Sequence, residues 1–228
     1  MIRRRLFRGG FLACAILLVP GIVQDVAAGA AQKAAKAATV KGKATVAAVD
    51  DAPPNKSLGS RTAPITVEVF SDYECPACRA LYTETLRPLV DNYVATGKVY
   101  LVHRDFPLPM HRFSREAARL VNAAAKIGKF EKVEAAVYSK QDSWDKDGNL
   151  DAAIATVLTP AELKRVKEIA QSGKMDPFIE SDVALGNSKQ IHQTPSVFVT
   201  YAGQTDALPP QGVTYRILKQ YLDEKLGR

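Results

Sequence analysis

The chain runs from a strand into a helix through a pair of cysteines, and this constrains its fold more than any other feature. Ile65-Thr66-Val67-Glu68-Val69-Phe70 alternates and is rich in β-branched residues, which is the pattern of a strand. Ser71-Asp72-Tyr73-Glu74 follows, then Cys75-Pro76-Ala77-Cys78. Beyond Pro76, Leu81, Leu86, Leu89, Val90 and Tyr93 fall near a 3.6-residue period, so a helix leaves the cysteine turn. Pro88 should kink that helix and Gly97 should end it. Val99-Tyr100-Leu101-Val102 predicts a second strand.

A long helical block comes next. Ser114 is the expected N-cap of a helix carrying Ala117, Ala118, Leu120, Val121 and Ala124, and residues 130–138 continue in helical spacing. Residues 142–148 read as a polar loop, within which Trp144 is expected to pack against the block. Residues 149–158 and 160–172 read as helices, with Thr159-Pro160 as N-cap and first residue. Asp176-Pro177 repeats that signal for a helix to about residue 189. Strand character returns at Ser196-Val197-Phe198-Val199-Thr200-Tyr201 and Ala202-Gly203 turns the chain. Residues 213–226 then close it as an amphipathic helix with Ile217, Leu218, Tyr221 and Leu222 at core spacing. The order is strand, helix, strand, helical block, strand, helix: an α/β domain over residues 63–228 with an all-helical insertion at about 107–190.

The segment before residue 63 reads differently. Arg3, Arg4, Arg5 and Arg8 precede an apolar run from Phe11 to Val23, and Ala28-Gly29-Ala30 offers small residues for cleavage. Residues 1–30 are therefore expected to be a secretory signal peptide. If uncleaved, the run would anchor the chain to a membrane, although it is shorter than the ~20 residues of a spanning helix and Pro20-Gly21 interrupts it. Residues 31–62, rich in Ala, Lys, Gly and Pro, read as a flexible basic linker. The formal charge is +7, and +4 without the first 30 residues, which hold four Arg and one Asp. No basic stripe interleaved with aromatics is present, so nucleic-acid binding is not supported.

Of the three cysteines, Cys14 lies in the signal's apolar run, which leaves Cys75 and Cys78 for the mature chain. An exported protein with one close pair has no disulfide framework, so the pair needs a chemical explanation. At the N-terminus of a helix, unpaired N–H groups and the helix dipole favour a negative charge, and the thiolate is the attacking species. Spacing i, i+3 brings Cys78 beside Cys75, and Pro76 occupies the helical turn where a missing N–H is harmless. Exchange would form a mixed disulfide on Cys75 that Cys78 resolves. Zinc would call for four N or S ligands, whereas His103, His111 and His192 are scattered. No metal or cofactor is expected.

The segment Phe70-Ser71-Asp72-Tyr73-Glu74-Cys75-Pro76-Ala77-Cys78 resembles the active-site segment of DsbA-like thioredoxin-fold thiol–disulfide oxidoreductases. The likeness extends to Arg104-Asp105-Phe106-Pro107-Leu108 and to Gln193-Thr194-Pro195, and covers residues 63–228. It implies a thioredoxin-like fold with a helical insertion, an active-site disulfide between Cys75 and Cys78, and a cis Thr194-Pro195 bond facing the cysteines. Thr194 and Pro195 would then bind substrate by pairing with an extended segment; from the residues alone, an ordinary trans proline opening a strand is as good a reading. One departure stands out. The family often places a buried acid six residues before the first cysteine, and here that residue is Val69, while strand alternation turns Glu68 to the other face. Asp72 and Glu74 would raise the Cys75 pKa and read as solvated loop acids or, for Asp72, a cap. His192 is the histidine placed to border the groove, with an exposed loop position as its plainer reading. His103 and His111 read as structural, and Tyr73 as substrate surface or core.

The expectation is an exported protein, in the bacterial periplasm, that forms or exchanges disulfides in exported substrate proteins and is served by a membrane redox partner. Oxidase is favoured over isomerase or reductase because the compartment is oxidising. Two rivals are a peptide-binding chaperone or adaptor without turnover, and a module binding a soft metal through both thiolates.

Overall fold

The computed structural model describes residues 51–209 and 213–228. The expected signal peptide, Cys14 and residues 31–50 lie outside them. A five-stranded sheet in the order β1-β3-β2-β4-β5 organises the fold. Its strands are β1 (Ser57–Leu58), β2 (Ile65–Ser71), β3 (Val99–Asp105), β4 (Ser196–Tyr201) and β5 (Gln204–Leu208). The central β2 runs parallel to β3, from Ile65↔Val99 to Ser71↔Asp105, and antiparallel to β4, from Ile65↔Tyr201 to Phe70↔Ser196.

Alternation along β2 decides what covers each face. Ile65, Val67 and Val69 are fully buried and pack with Leu81, Leu86 and Leu89 of α1 and with Leu218 and Leu222 of α8 (Tyr215–Lys225). Burying one such side chain contributes roughly 1.5–3 kcal/mol. On the opposite side, Phe70 meets Phe106 and Phe198 edge to face at 6.4 and 5.8 Å, beside Ile191. Helix α1 spans residues 76–94 as α turns (Pro76–Leu81, Arg87–Leu89) alternating with π turns (Tyr82–Leu86, Val90–Val94). It passes through Pro88 by widening: the Arg87 N–H bonds five residues back to the Tyr82 carbonyl. The helical run closes at Gly97, where φ is +72°.

Between β3 and β4 lie six helices: α2 (Ser114–Lys126), α3 (Phe130–Ser139), α4 (Gln141–Asp147), α5 (Leu150–Ala155), α6 (Pro160–Gln171) and α7 (Asp176–Ser188). Their core holds Trp144, which is fully buried and donates from Nε1 to the Val137 carbonyl at 2.7 Å. The stretch expected as a polar loop is therefore the short helix α4. One buried aromatic holds it, and Gly148 ends it at φ +75°. Thr159 caps α6 with a full capping box to Glu162. Ser114 and Asp176 do not cap. Each is the first residue of its helix, and Asp176 instead receives Arg119 at 2.9 Å and Arg115 at 3.3 Å.

Two strands are additions to the sequence reading. β5 is polar and largely exposed, and so carries no alternating apolar signal. β1 lies within the stretch expected to be linker, where two residues are too few to show a period. It pairs with β3 (Ser57↔Val102, Leu58↔Leu101). Beside it Lys56 is buried and ion-pairs with Asp105 and, at 2.7 Å, with Asp182. Asn122 completes this cluster by donating to Asp105 at 2.6 Å. Burial opposes the lysine's charge, but the two carboxylates outweigh it and hold the Lys56 pKa above its ordinary value.

Candidate active site

Strand β2 ends at Ser71 and the next four residues form the turn that aims both cysteines. The Cys75 N–H donates to the Asp72 carbonyl at 3.2 Å, and the Glu74 N–H donates to Asp72 Oδ1 at 2.8 Å. Cys75 is the N-cap of α1 with an extended backbone (φ −74°, ψ 121°), and Pro76 follows in the first turn. The Cys75 carbonyl accepts from the N–H groups of Cys78 and Arg79 and from the Gln141 side chain at 3.2 Å, so α4 buttresses the turn from the helical block.

Both thiols are free, and they differ in setting. Cys75 is 8% exposed, and its pKa is lowered to about 5. A hydrogen bond from the Cys78 thiol is the main cause, burial opposes it, and the Cys78 N–H, Thr194 and the Ala77 N–H add to it. Ala77 and Cys78 lie in the first turn of α1, so the helix N-terminus contributes to this lowering. Cys78 is 1% exposed, and burial, followed by the neighbouring Cys75, pushes its pKa well above the ordinary thiol value. It accepts from the Asp72 N–H at 3.4 Å. One thiol is prepared to ionise and its neighbour to stay protonated and donate to it.

Thr194-Pro195 immediately precedes β4, the strand paired with β2, and its peptide bond is cis, as the resemblance implies. The Thr194 carbonyl stands 3.5 Å from Cys75 Sγ and accepts from the thiol. All four expected site residues, Cys75, Cys78, Thr194 and Pro195, thus converge. Pro195 also lines an open groove of about 450 Å³ with Ala77, Leu81, Thr85 and residues 213–216.

Val69, the residue at the position of the family's buried acid, is fully enclosed in the apolar core. Opposite it on β3 stands His103, paired with Glu134 of α3 at 2.9 Å and edge-on to Phe130. Tyr73 belongs to the core: its ring lies 5.2 Å from that of Tyr138, which stacks on Tyr82 at 4.8 Å. His192 is exposed. The histidine tied to the cysteine turn is His111, whose Nδ1 is 2.7 Å from Asp72 Oδ2. Asp72 is accordingly buried and neither solvated nor a helix cap: its carboxylate accepts from the Glu74 and Leu108 N–H groups, and Glu74 accepts from the Phe113 N–H. From the sequence His111 reads as structural, because 39 residues separate it from Asp72.

A family model described as thioredoxin matches residues 51–213. A probable disulfide bond formation protein D of Bacillus cereus is 27% identical over 150 residues, which cover 63% of this chain and 69% of that protein. Oxidised BdbD from Bacillus subtilis superposes with a TM-score of 0.64 at 22% identity over 77% of this chain and 94% of that one, a likeness of fold. A thioredoxin-like oxidoreductase from Silicibacter pomeroyi gives a TM-score of 0.62 at 27% identity, covering 75% and 92%. With its helical block inserted between β3 and β4 and its cysteines opening α1, the chain belongs to the thioredoxin family, in its DsbA-like disulfide oxidoreductase form.

Proposed function

We propose that the chain is a dithiol–disulfide oxidase of exported proteins, working through the Cys75–Cys78 pair. The observation that carries this reading is the asymmetry of the two sulfurs at the start of α1: Cys75 acidic and beside the Thr194 carbonyl, Cys78 more deeply buried with its pKa raised. In the oxidised pair, a substrate thiolate attacks Cys75 Sγ. The S–S bond breaks, its electrons leave on Cys78, and that sulfur takes up a proton. A second substrate thiolate then attacks its partner sulfur in the mixed disulfide and displaces Cys75 as a thiolate. The substrate gains a disulfide and the pair gains two electrons. Because the Cys75 thiolate is a stabilised leaving group, the second displacement is favoured over its reversal. A membrane redox partner, as in the sequence reading, would return the pair to the disulfide. Pro195 lines the groove in which an extended substrate segment would lie, and Thr194 precedes it with its carbonyl beside Cys75.

The test is oxidative refolding of a reduced substrate protein by the oxidised chain. Cys75→Ser should abolish it, and reduced Cys78→Ser given a disulfide-bonded substrate should attack that disulfide, expel one substrate thiolate and accumulate a mixed disulfide on Cys75. Full activity in Cys75→Ser would overturn the reading. Suppression of aggregation by a double Cys→Ala variant, with no oxidation by the wild type, would favour the chaperone reading.

A further inference from the structure

Asp72 touches the cysteine turn with its backbone and His111 with its side chain. Its backbone N–H donates to Cys78 Sγ at 3.4 Å and its carbonyl accepts from the Cys75 N–H at 3.2 Å. Its carboxylate, fully enclosed, accepts from the Leu108 N–H and meets His111 Nδ1, both at 2.7 Å. One residue thus joins an imidazole to both cysteines. His111 lies on the loop between β3 and α2, 22% exposed, so solvent protons reach it. The groups that face it are the carboxylates of Asp72 and Glu74 and the sulfur of Cys75. Its neighbour Arg112 is turned to the Phe113 ring, with its guanidinium 4.9 Å from the ring centre. The charges that act most strongly on His111 are therefore negative. Partial burial works against its protonation, but Asp72 outweighs this and raises its pKa.

We propose that His111 is a positioning residue of the redox pair: as an imidazolium held by Asp72, it offsets the acids of the turn and favours a negative sulfur at Cys75. This rests on reading Cys75 as the attacking thiol. Without the imidazolium, Asp72 and Glu74 would set two negative charges around the turn, and like charge raises a thiol's pKa. The coupling is reciprocal, so the thiolate must favour the imidazolium as much as the imidazolium favours the thiolate. A thiolate–imidazolium pair then exists from about pH 5, the Cys75 value, up to the raised pKa of His111. Above that window the imidazole is neutral and Cys75 loses its support. A histidine that only fastened the loop to Asp72 would show no such window.

The experiment measures iodoacetamide alkylation of Cys75 between pH 4 and 9 in the reduced full chain, quantified at that residue by mass spectrometry, against His111→Gln. The glutamine keeps an N–H for Asp72 and removes the charge. The Cys75 acidity constant should fall about threefold to tenfold in His111→Gln, a screened version of the effect of a near charge, and the upper inflection should vanish. Superimposable profiles would overturn the proposal. In the unaltered protein, the His111 titration followed by NMR should move to lower pH when Cys75 and Cys78 are oxidised, and an unmoved titration would also overturn it. Neither readout requires turnover. A coupled pair in a chain that oxidises nothing refutes the proposed function alone, and an active chain without coupling refutes this inference alone.

Discussion

Removing the Cys75 thiolate should change how the stability of the reduced protein depends on pH. Folding lowers the Cys75 pKa from the ordinary value of 9.0 to about 5. A group whose folded pKa is depressed stabilises the folded state fully above its unfolded pKa, and this contribution is lost as pH falls through the folded value. At pH 7 the pH stands about two units above the folded pKa and still below the unfolded one. Each unit corresponds to about 1.36 kcal/mol, giving about 2.7 kcal/mol. Cys75 is 8% exposed, so little of this is screened and about 2–3 kcal/mol is the expected figure. The assay is urea unfolding of the reduced chain and of Cys75→Ser, followed by far-UV circular dichroism at pH 4.5 and pH 7. Other titrating groups largely cancel in the difference between the two proteins. Relative to Cys75→Ser, the reduced wild type should gain about 2–3 kcal/mol between those pH values. A difference that stays flat, or that shrinks as pH rises, would refute the assignment of a stabilised thiolate to Cys75. The oxidised protein has no thiolate and should lack the gain.

Lys56→Met leaves Asp105 and Asp182 buried without their cation and should cost about 3–5 kcal/mol in urea unfolding at pH 7. Burial already raises the Asp105 pKa while Lys56 lowers it, so the variant's carboxyl should rise further. A raised carboxyl pKa destabilises the folded state above it, so the loss should be larger at pH 7 than at pH 5. Gly186→Ala sets a Cβ about 2.5 Å from the Phe106 ring and should cost about 1–3 kcal/mol by the same assay, because the ring is packed on Phe70.

The parts of the fold legible in the sequence are those whose signal is local. The alternation of β2, the helical spacing after Pro76, the Thr159 capping box and the strand after Thr194-Pro195 each declare themselves within a few residues. The cysteines were legible for the same reason, being three positions apart on one turn. The rest depends on contacts between distant segments. Lys56 reads as one more linker cation until β1 pairs with β3 and places it between carboxylates 49 and 126 residues away. Trp144 reads as part of a polar loop because its neighbours Asp142, Ser143, Asp145 and Lys146 are polar, and one buried ring outweighs them. His192 is exposed, as its plainer reading has it, whereas the loop after β3 carries His111 back onto Asp72. Val69, which departs from the family's buried acid, is enclosed in the apolar cluster beneath α1.

The most direct measurement is the reduction potential of the Cys75–Cys78 pair in equilibrium with glutathione at pH 7. In this chemistry, thiol pKa values of ~7 and ~3.5 accompany potentials of about −270 mV for thioredoxin and about −120 mV for DsbA. Interpolation to a Cys75 pKa of about 5 puts this pair near about −180 mV, an oxidising couple whose reduced form is stabilised by its thiolate. A potential at or below about −270 mV would make the pair a reductant and contradict the assignment of Cys75 as a stabilised thiolate that drives oxidation.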